Sequence, residues 1–217
     1  SLRCDIQSVA SIICMLVTMH FLNDCWRGIR SFLRSSQELL EKCNGQGIPL
    51  SALIVDVDDI SDLFRTHGQK ELRAIIQSVL ATVKSVVSPD ALIYHEGDDE
   101  FIVVVPGCDA SCAEKLSEDI RVGVLDFQVP GTGFLMTVSI GAASTSPSAP
   151  DTSSNDFCSL LWNARKCLAW AKITGKNSVV IWRPSLEARL SIASDILPGI
   201  ESGFSSAERF SLLCSLC

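Results

Sequence analysis

Residues 96–101 read EGDDEF, and residues 53–58 read LIVDVD. Each sets closely spaced carboxylates against an apolar run. In the first, Glu96, Asp98, Asp99 and Glu100 crowd a lone glycine, Gly97, and lead straight into FIVVV. In the second, Asp56 and Asp58 close the run and, because side chains alternate along a strand, share a face with Ile54. Carboxylates brought this close repel unless a cation intervenes. Mg2+ suits such a place, since it takes one or two carboxylates and fills its shell with water and phosphate oxygens. A metal pair there would activate a 3′-hydroxyl and stabilise a leaving pyrophosphate. The residues alone leave two blander readings open: a solvated strand end for Asp56 and Asp58, and a good turn for Gly97-Asp98, which fits a two-residue hairpin loop.

The elements that must position these acids follow from periodicity. Apolar residues at 29, 32, 33, 39 and 40 predict an amphipathic helix over 27–43, broken by NGQGIP. LSALIVDVD (50–58) is a strand, 59–66 a short helical turn, and 69–87 a helix stopped by SPD. ALIYH and EFIVVV are strands joined by a tight turn, 109–125 is a helix, and GFLMTVSIGAA (133–143) is a strand. A Ser/Pro-rich loop (144–155) precedes a helix over 156–177, with Asp156 or Asn155 as its N-cap and Gly175 as its stop. On that helix Phe157, Leu161, Trp162 and Trp170 are read as core. SVVIW (178–182) is the last strand. A hairpin set among crossover helices predicts an α/β layer on one mixed five-stranded sheet flanked by helices.

Composition limits the partners. The 217 residues are 47% hydrophobic and 20% charged, enough for a generous core. A net charge of −7 argues against binding a nucleic-acid backbone, yet allows a small phosphorylated ligand held through metal ions. The ten cysteines are irregularly spaced and read as buried free thiols, which points to a reducing compartment: the cytoplasm or the cytoplasmic face of a membrane. The terminal CSLC has no second pair to complete a zinc site. The chain divides into an apolar connector helix (1–26), the α/β domain (27–183) and a helical extension (184–217). Residues 9–22 are apolar but shorter than the ~20 residues of a membrane span. They are read either as a helix packed on protein or as the end of a membrane helix.

IVDVDD, YHEGDDEFIVVVP, MTVSIGAA and ARKCLAWAKITGKN, in this order and spacing, resemble the GGDEF domain of diguanylate cyclases. LNDCWRGIRSFL (22–33) resembles the segment that leads into that domain, so the likeness covers residues 20–183. It implies a palm-like α/β fold that binds GTP with two Mg2+ or Mn2+ ions, two copies of which face each other and condense two GTP into cyclic di-GMP. It assigns Asp56 and Asp99 as metal ligands, with Val57 in the metal set, and Glu100 with Asp99 as the catalytic acids. Gly97 and Asp98 fall at the nucleotide, and Lys172 and Lys176 at its triphosphate. Phe64 and Gln69 fall where the family reads guanine with Asn and Asp.

The departures are equally specific. The second signature glycine is Asp98, and Glu96 precedes the turn. An extra carboxylate ~4 Å from a phosphate charge costs about 4 kcal/mol at an effective dielectric of 20, or ~10³ in affinity. Lys176 replaces the usual Arg and loses its bidentate fork. Gln69 cannot accept both guanine hydrogens as a carboxylate does. Ala164-Arg165 replaces an Ala-Asp pair, and SPDA (88–91) lacks the arginine of the product-inhibition site. The expectation is a degenerate GGDEF-type domain with a partly retained metal and nucleotide-triphosphate site. It would act as a regulator or scaffold through a homodimer or a partner protein. The alternatives are an active diguanylate cyclase and a structural subunit of a larger assembly, docked through its terminal segments.

Overall fold

The computed structural model describes residues 28–67, 69–96, 99–125, 135–146 and 156–186, without the side chains of 64, 66 and 67. The expectations for residues 9–22, the CSLC, Gly97, Asp98 and nearly all of 184–217 lie outside the described residues. Helix α1 spans 28–46. It is followed by β1 (Leu50–Val57), α2 (Ile60–His67), α3 (Gln69–Val86), β2 (Leu92–Glu96), β3 (Glu100–Pro106), α4 (Ala110–Leu125), β4 (Val138–Ser144), α5 (Phe157–Ile173) and β5 (Val179–Ile181). Among the described residues no helix is long and apolar enough to cross a membrane.

The five strands form one mixed sheet in the order β2-β3-β1-β4-β5. All neighbours are antiparallel except β4 and β5. The central strand β1 is buried along its whole length, which is why it reads as a continuous apolar run rather than an alternating one. Its odd residues, Leu53, Val55 and Val57, pack with α3 and α4 residues such as Val79 and Ile120. Its even residues, Leu50, Ala52 and Ile54, pack with Phe32 and Leu40 of α1 and Leu161 and Leu168 of α5. Asp56 continues the even set, so its carboxylate faces α5 rather than solvent.

Helix α5 starts firmly because its first donors are met. Asp156 accepts from the Cys158 and Ser159 N–H groups at 3.1 Å each, and Gln37 Oε1 of α1 accepts from Phe157 N at 2.9 Å. Its stop is Gly175, which follows the Thr174 cap with φ +127°. Asp156→Ala should cost about 1 kcal/mol, read as a lower urea midpoint at unchanged slope. The close seat of α5 on the sheet depends on Gly141 of β4. A Cβ there would lie 2.2 Å from the Ala164 carbonyl oxygen and 2.1 Å from the Leu168 nitrogen.

Four expectations are corrected. Cys108 and Cys112 are bonded to each other, not free: their four-residue spacing across the start of α4 brings the Cα atoms to 5.2 Å. The β2–β3 register pairs Glu96 with Glu100, where a two-residue loop would pair Glu96 with Asp99. The β4 ladder begins at Val138, not 133, and Leu135 ahead of it is 58% exposed. Trp162 is 39% exposed on α5, because Phe157, Leu161, Ala164 and Leu168 take the sheet-facing stripe.

Candidate functional site

The site lies where β1 ends and β3 begins. Asp56 pairs in register with Glu100, and Glu100 with Glu96. Three carboxylates therefore form one row across three strands, on the face that α5 covers. Asp99 is brought in by the turn, its carbonyl accepting from Val57 N at 3.0 Å. The nearness of Asp56 and Asp99 expected from the sequence is what adjacent strands produce. Val57 itself points its side chain into the opposite core, so only its backbone borders the site.

Two cations on α5, seven residues apart, meet this row. Lys172 Nζ lies 2.7 Å from Asp56 Oδ2. Arg165 donates to both oxygens of Glu100, at 2.6 and 3.0 Å, and to Glu96 Oε2 at 3.3 Å. Arg165 is buried, and its fork on Glu100 is the bidentate geometry that makes charge-assisted pairs strong. Burial pushes the Asp56 carboxyl up to about 7, against the pull of Lys172 and helped by the charges of Asp99 and Glu100. Burial also raises Glu96, with the Glu100 charge adding to it.

Asp58 and Asp59 have other work. Asp58 accepts from Thr137 Oγ1 and Ser139 Oγ at 2.7 Å each and from Asn177 N at 3.0 Å. It thereby ties the end of β1 to the start of β4 and to the turn after α5. Lys176 reaches Asp59, in the same turn-to-turn contact, with a side chain 43% exposed. Lys172 thus meets the acidic row, while Lys176 stands beside it on the neighbouring turn. Gln69 is exposed at the first residue of α3. Phe64 lies on α2, its side chain outside the described residues.

Among the described residues no group of three or more His, Cys, Asp and Glu side chains is set for a metal ion. The residues nevertheless fit an ion held jointly by protein and phosphate. Asp56 Oδ1 is buried without a hydrogen-bond partner, and the charge of Asp99 acts on the same carboxyl. That is the one-or-two-carboxylate set from which Mg2+ is held with its ligand's oxygens. Glu100 differs, since both its oxygens are already taken by Arg165.

The sequence showed Arg165 only as a lost acid and Glu96 only as surplus charge. A signal was present: one arginine among Leu161, Ala164 and Leu168 on an apolar stripe needs a buried anion. Which anion could not be read without the strand register.

Residues 29–178 match the family model described as diguanylate cyclase, GGDEF domain. The chain is 30% identical over 146 residues to the diguanylate cyclase DosC of Escherichia coli, across 66% of this chain and 30% of that protein. It therefore spans under a third of the length of that relative. Its fold is similar to the active GGEEF domain of a diguanylate cyclase from Vibrio cholerae, with a TM-score of 0.65 and 19% identity over 71% of this chain and 96% of that one. The GGDEF domain of DgcB from Caulobacter crescentus, solved in complex with c-di-GMP, gives a TM-score of 0.62 and 22% identity over 70% and 88% of the two chains.

Proposed function

The chain belongs to the GGDEF diguanylate cyclase family, and we propose that this member binds a nucleoside triphosphate through a divalent ion without condensing it, serving as a regulatory domain. The observation that carries the reading is the buried fork of Arg165 on Glu100. A catalytic carboxylate must offer a lone pair to the proton or ion it handles, within hydrogen-bond reach. Both oxygens of Glu100 are already committed to a charged partner in a dry interface. Freeing them would break a buried bidentate pair.

The binding half of the site is less altered. Asp56 and Asp99 supply the carboxylates for Mg2+ or Mn2+, and the ion would screen the triphosphate from the acidic row. Lys172, 39% exposed, can release Asp56 to the ion and turn to a phosphate oxygen. Lys176 offers a second point charge at the rim. The nucleotide-loaded state would then be read by a second copy of the chain or by a partner protein, as a cyclase reads its facing domain.

Calorimetry of GTP binding with and without Mg2+, followed by mass spectrometry of the same sample, tests this. The expected result is Mg2+-dependent binding with no cyclic di-GMP. Product accumulating over many turnovers would overturn the reading in favour of an active cyclase. Absence of binding would leave the fold as a scaffold.

A further inference from the structure

Three successive residues after α5 carry positive φ: Gly175 at +127°, Lys176 at +62° and Asn177 at +42°. Only the first is glycine, so this backbone is held at a cost and persists because its surroundings over-determine it. Part of the hold is local, with Lys176 N donating to the Ala171 carbonyl and Thr174 N to that of Trp170, at 3.0 Å each. The rest comes from two distant elements. Asn177 N donates to Asp58 Oδ2 at 3.0 Å, and Asp58 is itself fixed by the Thr137 and Ser139 hydroxyls. Arg121 Nη1 donates to Asn177 Oδ1 at 2.8 Å, across 56 residues of sequence. Arg121 belongs to α4, which packs on the sheet face opposite α5.

We propose that Arg121 is a positioning residue for the triphosphate: from the far layer of the domain it fixes the 175–177 turn, and through it the place of Lys176. The inference rests on the nucleotide-site reading above and adds to it a residue that touches neither nucleotide nor ion. The Lys176 side chain is 43% exposed, so little besides its backbone decides where its charge can reach. Arg121 is suited to hold that backbone. Its Nε donates to Glu118 Oε2 at 2.7 Å, which orients the guanidinium before it meets Asn177. The planar fork makes both bonds in fixed directions, which the point charge of a lysine does not reproduce.

Amide hydrogen exchange of the full chain without nucleotide reads the turn itself. In Arg121→Met the Lys176 and Asn177 amides should exchange about fivefold faster, as for the loss of one ordinary hydrogen bond, while α5 keeps its wild-type rates. Calorimetry with GTP and Mg2+ reads the consequence: Arg121→Met should bind about fivefold more weakly, and in a Lys176→Met background the same substitution should change affinity less than about twofold. Arg121→Lys, which keeps the charge and loses the fork, should behave as Arg121→Met. If Arg121→Met does not fold, Asn177→Gly carries the test, since it removes the acceptor and suits the backbone; it should give the same two changes, and neither appearing would overturn the proposal. Unchanged exchange in the turn, wild-type behaviour of Arg121→Lys, or an equal loss of affinity with and without Lys176 would also overturn it while leaving the nucleotide site in place. A wild type that binds no GTP, with exchange at the turn still faster in the variant, would overturn the nucleotide-site reading and with it the role of Arg121.

Discussion

Gly141→Ala should cost more than about 3 kcal/mol, beyond the ordinary range for one added methyl in a core. The Cβ would meet the Ala164 carbonyl oxygen at 2.2 Å and the Leu168 nitrogen and Cα at 2.1 and 2.8 Å. These are backbone atoms of a helix, so no rotamer change relieves the clash. The helix must lift as a body. Ala164 adjoins Arg165 and Leu168 lies one turn before Lys172, so lifting α5 also draws both cations off the acidic row. Loss of stability and loss of the site should therefore appear together. At 2–4 °C per kcal/mol for a domain of this size, Tm should fall by about 10 °C, with metal binding weakened in whatever remains folded. A variant with near-wild-type Tm would show that α5 is not held at this height, and the geometry argued for Arg165 would fall with it. Gly123→Ala is the control: its Cβ meets only the Thr82 methyl, at 2.8 Å, an atom that can turn away.

The difference between those two glycines illustrates what the sequence could and could not reveal. SIGAA reads plainly as a strand, and nothing local says that residue 141 lies under a helix backbone rather than beside a side chain. The same limit governs the site. Alternation placed Asp56 on the face of Ile54, and the structure agrees because β1 is regular along its length. The order of elements and five strands were legible, since each strand is a distinct apolar run bounded by turn residues. The pairing of Glu96 with Glu100 was not, because a three-residue turn and a two-residue turn look alike around GDD, and one residue of register moves a side chain to the other face. Arg165 lies 65 residues from Glu100 in sequence. That contact depends on the height of α5, and hence on Gly141. The Cys108–Cys112 bond is local, but the same spacing serves two free thiols on one helix turn.

Lowering the pH from 8 to 5 should stabilise this domain, the reverse of what a salt-bridged carboxylate produces. The Asp56 carboxyl titrates at about 7 in the fold against 3.8 when unfolded, because burial outweighs the Lys172 ammonium. Between those values the folded chain holds a proton that the unfolded chain has released. Stability therefore falls as pH rises through this window, by 1.36 kcal/mol per unit, and levels off above about 7. The full effect of Asp56 is roughly 4 kcal/mol, and Glu96, raised by burial and by Glu100, adds in the same direction. From pH 5 to pH 7 the urea midpoint should drop by about 1 M or more, given slopes of 1–3 kcal/mol per molar. A divalent ion changes the picture at one end only. It competes with the proton for Asp56, so 10 mM Mg2+ should restore the midpoint at pH 8 by mass action and do little at pH 5. Asp56→Asn should lessen the slope between pH 5 and 7 and abolish the Mg2+ response, leaving the contribution of Glu96. A wild-type midpoint that climbs across this interval would mean that Asp56 is ionised in the fold without an ion. The buried oxygen that marks it as a metal ligand would then have found another partner.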